Sequence, residues 1–147
     1  MQPEFPVDIN THRFKAFIDI QIRFDDLDGF AHINNGVQQS YFDIGRANYL
    51  RAIYGDNFYQ LDKVLFIVSY KTDFLSQTTF TDSLEVGTSV YHIGDKSLKM
   101  IQILRSKIDG RICTVSDSTM VSVDARTRQS IPFPDEWRRV IERIEAQ

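Results

Sequence analysis

The sequence predicts an α+β domain in which one long helix packs on one face of an antiparallel sheet. Three observations carry that prediction. Residues 14–24 alternate apolar and polar side chains with a period of two, as a half-buried strand does. A stretch from Asn34 or Asn35 to Ile53 or Tyr54 then repeats its apolar residues at helical spacing. Four strand-like segments follow with no helix between them, which leaves no βαβ alternation and hence no basis for a parallel sheet.

The elements follow in order. Residues 1–13 hold Pro3 and Pro6 and show no periodicity, so they read as an extended arm. In the first strand Phe14, Ala16, Ile18, Ile20 and Ile22 point one way, and Lys15, Asp19, Gln21 and Arg23 the other. Residues 25–35 are polar around Gly29 and form a loop. An Asn at its end supplies the N-cap oxygen of the helix, and Gly55 supplies its stop. On the helix Val37, Tyr41, Ile44 and Asn48 form one row, and Phe42, Gly45, Tyr49 and Ile53 another, which predicts a broad buried face. Gly45 costs about 1 kcal/mol relative to Ala inside a helix, a cost that close approach of another backbone would explain.

After a linker over 56–63, strands are expected at 64–74, 83–93, 97–107 and 111–124. The last two flank Asp109-Gly110, a two-residue hairpin signal. Pro132 and Pro134 precede a short amphipathic helix over 135–147. Without repeats or low-complexity segments, the chain reads as one domain over 1–147.

Composition excludes several classes. The formal charge of −3 gives no support for nucleic-acid binding, and the pairs Lys96/Lys99 and Arg126/Arg128 read as solvated surface. A single cysteine, Cys113, cannot form an intramolecular disulfide and suits a reducing cytoplasm; between Ile112 and Thr114 it reads as a core filler. The N-terminus lacks the basic and apolar runs of a signal peptide, and the most apolar stretch, 64–68, is far too short for membrane insertion. There is no Gly-x-Ser-x-Gly elbow, no metal-ligand spacing among His12, His32 and His92, and no phosphate-cradling loop.

The chemistry concentrates in RFDDLDGFAHINN, residues 23–35, which sets three carboxylates, a histidine and two carboxamides before the start of a buried helix. Free N–H groups and the positive dipole end of a helix can polarise a carbonyl and hold an oxyanion. A carboxylate beside them could attack a thioester or deprotonate a water.

At these residues the sequence resembles the hotdog-fold thioesterases of the 4-hydroxybenzoyl-CoA thioesterase type. Their motif runs Arg-aromatic-x-Asp-x-Asp-x-x-Gly-His-x-Asn-Asn and leads into a helix with Tyr-Phe-Glu and Arg; here that helix carries YFD at 41–43 and Arg46. VSYKTDFLSQTTFTDSLEV, IGDKSLKM and VSVDARTRQSIPFPDEW extend the likeness over about residues 17–137. The resemblance implies a single hotdog domain with its sheet wrapped around the central helix, acting on an acyl-CoA or acyl-carrier-protein thioester. It implies no cofactor and no metal. Carried over by position, Asp28 supplies the catalytic carboxylate, Asp26 organises the loop, and Asp25 faces solvent. His32 and Asn35 border the reacting centre, while Asn34, Lys96 and Ser97 contact substrate or CoA. Asp43 is the rival carboxylate, since some hotdog enzymes draw theirs from the helix, although an i,i+3 ion pair with Arg46 competes for it. The family assembles as homodimers or homotetramers with the active site between subunits.

Three departures stand out: Ala31 replaces the usual Gly, Gln38 a frequent Tyr, and Asp43 a Glu. Two rival readings are a hotdog hydratase and a non-catalytic acyl-CoA-binding protein. Hydratases set Asp and His five apart around Asn-Pro, whereas Asp28 and His32 are four apart. The 13 residues before the first strand leave no room for a regulator's DNA-binding module.

Overall fold

The computed structural model describes residues 3–56, 58 and 61–147. Its elements are β1 (Ala16–Ile20), α1 (Asn35–Tyr54), β2 (Lys63–Phe74), β3 (Leu84–Ile93), β4 (Ser97–Ser106), β5 (Ile112–Asp124) and α2 (Asp135–Glu145). The five strands form one antiparallel sheet in the order β1-β3-β4-β5-β2, with α1 across β1, β3 and β4. This is the expected hotdog domain.

The first strand is shorter than its alternation suggests. β1 pairs with β3 only from Ala16↔Thr88 to Ile20↔Leu84. Phe14 does not share the face of Ile20. It packs on the outer face of the sheet with Ile101, Ile103 and Val115, where Phe5, Val7 and Ile9 of the N-terminal arm join it. The arm is therefore a strap over apolar residues that water would otherwise reach.

Helix α1 buries Gln38, Tyr41, Phe42, Gly45, Arg46, Tyr49 and Leu50. The row Phe42–Gly45–Tyr49 faces the core as expected, but Ile44 is exposed and the polar Gln38 and Arg46 are buried instead. Apart from Arg46 Nε, which has no hydrogen-bond partner among the described residues, the nitrogen and oxygen atoms of these side chains are partnered. The Gln38 amide donates to Thr78 Oγ1 (3.2 Å) and accepts from Thr114 Oγ1, and Gln102 Nε2 donates to the Phe42 carbonyl (2.9 Å). Gly45 is explained by side chains, not by another backbone. A Cβ there would collide with Val86 Cγ1 and crowd Gln102 Nε2.

The two ends of the molecule differ. Trp137, Ile141 and Phe133 seal the C-terminal end of α1 against Tyr49, Leu50 and Met120. Where β3 runs beyond β1, Glu145 takes the free N–H of Val90 (2.7 Å) and the hydroxyl of Ser89 (2.7 Å). The β4–β5 connection is longer than a two-residue hairpin: Ser106 N–H bonds the Arg111 carbonyl (2.9 Å), and Gly110 takes the left-handed conformation (φ 76°).

β2 is a sheet edge, and α1 does not cover it. On its helix side lie Ile67, Tyr70, Thr72 and Phe74, opposite Met120, Ser118, Ser116 and Thr114 of β5. Tyr70 is 57% exposed and Phe74 44% exposed. A bulge at Val68 interrupts the ladder between Ile67 and Ser69. The result is an open groove between the flank of α1 and the β5–β2 half of the sheet.

Candidate active site

The loop before α1 hangs on one buried carboxylate. Asp26, 4% exposed, accepts the hydroxyl of Tyr41 (2.6 Å) and the N–H of Arg23 (2.9 Å), with the Arg23 guanidinium 3.6 Å away. Burial by itself would raise its pKa, but the bonds from Tyr41 and Arg23 outweigh burial and hold the carboxyl below its usual range. Burial, then the bond to Asp26, pushes the Tyr41 phenol up. The Asp26 carbonyl in turn accepts the N–H of Asn34 (2.9 Å), so this residue fixes where the helix begins. Asp26 is an organiser and Asp25 faces solvent, as expected.

Asp28 builds a tight turn and keeps one oxygen open. Its Oδ1 accepts the N–H groups of Phe30 (2.9 Å) and His32 (3.1 Å), and its own N–H bonds the His32 carbonyl (2.8 Å). No hydrogen bond engages Oδ2 among the described residues. Within the turn Ala31 adopts φ 60°, where a side chain is strained and the family's glycine would not be. That departure is a backbone matter as much as a change of side chain.

The helix start completes the arrangement. Asn34 is the N-cap, its Oδ1 accepting from Gly36 N (2.7 Å) and Val37 N (3.2 Å). Its carbonyl oxygen is thus committed to capping, and only its NH₂ is left to meet a substrate. Of the donors in this first turn, the N–H of Asn35 has no protein acceptor among the described residues. Asp28, His32, Asn35, Gln38, Phe74 and Ser76 border one cavity of about 320 Å³. Buried Gln38 closes its floor by tying the loop to β5.

The structure does not bring every expected site residue here. Asp43 lies about 12 Å along the helix axis from Asn35, its carboxylate mostly exposed and paired with Arg46 Nη1 (2.6 Å). Lys96 sits in the turn after β3 and Ser97 opens β4, whereas Leu27, beside Asp28, packs at the Leu84 end of β3. Ten residues of β3 put them about 30 Å from Asp28 in the same chain. Sequence reasoning missed Tyr41 as a member of the site and marked Gln38 only as a departure from the family pattern, because the contacts of Tyr41 with Asp26 and of Gln38 with Thr78 and Thr114 span 15, 40 and 76 residues. Cys113 is buried, and burial pushes its thiol pKa up, so it is no ready nucleophile. Among the described residues no three His, Cys, Asp or Glu side chains converge on a metal position, and no helix is long and apolar enough to cross a membrane.

Comparison with known proteins accords with this geometry. A family model described as the thioesterase-like superfamily matches residues 22–141. The uncharacterized protein YsmA of Bacillus subtilis (strain 168) is 24% identical over 130 residues, 87% of this chain and 86% of that protein. A Thermus thermophilus thioesterase crystallised with coenzyme A and zinc superposes with a TM-score of 0.81 at 25% identity, covering 91% of this chain and 96% of that one. A Bacillus stearothermophilus protein described as a predicted thioesterase gives 0.78 at 25% identity, covering 86% and 93%. This chain belongs to the thioesterase-like superfamily and is a hotdog-fold thioester hydrolase.

Proposed function

We propose that the chain hydrolyses an acyl-CoA or acyl-carrier-protein thioester, with Asp28 as its carboxylate and the N–H of Asn35 as its oxyanion donor. The observation that carries this reading is the pairing, in one cavity, of the open Oδ2 of Asp28 with an unengaged N–H at the start of a buried helix. In one route Asp28 takes a proton from water as the hydroxide adds to the carbonyl carbon. The oxyanion forms against Asn35 N–H, then collapses and expels the thiolate, which takes up the proton. In the other, Oδ2 itself adds to the carbonyl, expels the thiolate and leaves an anhydride that water cleaves. His32 and the Asn34 amide border the substrate in both.

The uncovered β2 edge supports a homodimer as the working unit. A 12-residue strand with one edge free and its own Ile67, Tyr70 and Phe74 exposed is a template for a second copy. Antiparallel pairing about the middle of β2 would set the Phe74 end of one strand beside the Lys63 end of the other. That carries Lys96 and Ser97 of the partner subunit toward the Asp28 end, where they could meet the CoA moiety. The lone buried thiol suits a reducing cytoplasm, the location we propose.

The test is release of free thiol from a panel of acyl-CoAs and acyl-carrier-protein thioesters. Hydrolysis of at least one class is expected, and no turnover across the panel by folded protein would overturn the reading. Single turnover in ¹⁸O-water separates the routes, because only the anhydride route can leave label in Asp28.

A further inference from the structure

A bridge of hydrogen bonds crosses the groove beyond the Asp28 cavity. Gln39 of α1 grips Thr72 of β2 with both atoms of its amide: Nε2 donates to Thr72 Oγ1 (3.1 Å), and that hydroxyl donates to Oε1 (2.9 Å). Thr72 Oγ1 also lies 3.3 Å from Ser116 Oγ of β5, so the bridge rests on the floor of the groove. Ser116 is directly opposite Thr72 in the ladder and is buried.

The bridge separates two spaces between the flank of α1 and the β5–β2 half of the sheet. On one side Asn35, Gln38 and Phe74 line the Asp28 cavity, of about 320 Å³. On the other Arg46, Leu50, Ile67 and Met120 line a groove of about 400 Å³. Gln39 follows Gln38 and comes one turn before Asp43. Thr72 is the next helix-side residue of β2 from Phe74, about 7 Å along the strand. The β5 floor changes character in step: Thr114, Ser116 and Ser118 face the helix before Met120 does.

The bridge leaves no room for an alkyl chain between its two side chains. A methylene keeps about 3.5–4 Å from each neighbouring atom, so a passage there would have to open to about 7 Å or more. The bonded atoms of Gln39 and Thr72 stand 2.9 and 3.1 Å apart. Thr72 is held by its strand, so Gln39 alone could swing aside, and both groups would lose their bonds in doing so. We propose that the Gln39–Thr72 bridge is the length stop of the acyl site, and that the protein selects short acyl groups whose free end lies between Asp28 and Thr72. The inference rests on the thioesterase reading and narrows its substrates to short-chain acyl thioesters. Gln39 and Thr72 are then specificity-determining residues with no part in the chemistry at Asp28.

The experiment measures kcat/KM for straight-chain acyl-CoAs from acetyl to palmitoyl. Wild type should show a short-chain optimum and a fall of about tenfold or more beyond it, the cost of forcing extra methylenes into a filled space. Gln39→Ala joins the two spaces and should move the optimum to longer chains, with about fourfold gained per methylene buried past the bridge. Thr72→Val keeps the bulk but frees Gln39 to swing, so it should move the optimum the same way and less far. Thr72→Ser keeps the hydroxyl and should leave the optimum in place. A merely structural role would lower turnover of all lengths together. Palmitoyl-CoA turned over as well as the short chains by wild type, or an optimum unmoved in folded Gln39→Ala and Thr72→Val, overturns the proposal. Calorimetric titration in the Asp28→Asn background reads length preference by binding alone. A short-chain preference there that Gln39→Ala lengthens, with no turnover by wild type, would count against the thioesterase reading and sustain the bridge as the stop.

Discussion

Tyr41→Phe isolates the contact that holds the active-site loop to the helix. The substitution removes one hydroxyl and leaves the ring buried among the same neighbours. What is lost is a 2.6 Å bond to the Asp26 carboxylate, whose side chain is only 6% exposed. A bond to a buried charge is worth about 1.5–3 kcal/mol. The Arg23 guanidinium offers little compensation, being 74% exposed and 3.6 Å away. For a domain of this size that loss lowers Tm by about 3–12 °C. The pH dependence has a definite sign. The folded carboxyl of Asp26 lies below its ordinary 3.8, so its contribution is fully present above that value and is lost as pH falls through the folded pKa. The cost of Tyr41→Phe should therefore be full at neutral pH and shrink below about pH 4. Urea unfolding of both proteins at neutral and acidic pH measures it. A cost under about 0.5 kcal/mol at neutral pH, or one that does not shrink in acid, would refute the assigned role.

Other substitutions test other parts of the structure. Gly45→Ala places a methyl against Val86 and should cost about 1–3 kcal/mol in urea unfolding despite the better helix propensity of Ala. Ala31→Gly relieves a left-handed backbone at φ 60° and should raise stability by up to about 1 kcal/mol, read as a higher Tm. Ile67→Asp sets a charge on the helix side of the β2 edge and should break the proposed dimer, read as a monomer mass in analytical ultracentrifugation where the parent gives a dimer mass. An unchanged mass would move the proposed interface elsewhere.

Much of this molecule is legible in its sequence, and the exceptions have physical causes. Strands β2 to β5 and both helices fall where period and turn signals put them, because each buries at least part of one face against the rest. The buried stripe of α1 departs from its apolar spacing. Apolar spacing alone points to Ile44, while the core accepts Gln38 and Arg46 because Thr114 and Thr78 bond the Gln38 amide and Asp43 and Gln102 bond the Nη1 and Nη2 groups of Arg46. Phe14 keeps the parity of Ile20 but lies outside the strand, where the chain crosses to the outer face. At the site, the carboxylates of the Asp25–Asp28 run look alike to local chemistry. Family register separates Asp28 from Asp26, and the two differ in setting: Asp26 is buried and bonded to Tyr41, whereas Asp28 is exposed, borders the cavity and keeps Oδ2 without a bond among the described residues. The polar floor and the tie between Tyr41 and Asp26 depend on contacts far apart in sequence, so no short window reveals them.

On the proposed mechanism Asp28 performs the hydrolysis and Asp43 does not. The most direct measurement is kcat for Asp28→Asn and Asp43→Asn on the best thioester, with circular dichroism confirming that both variants are folded. A loss of about 10²–10⁴-fold is expected for Asp28→Asn and a much smaller change for Asp43→Asn. Near wild-type turnover by Asp28→Asn, or the larger loss in Asp43→Asn, would contradict that mechanism.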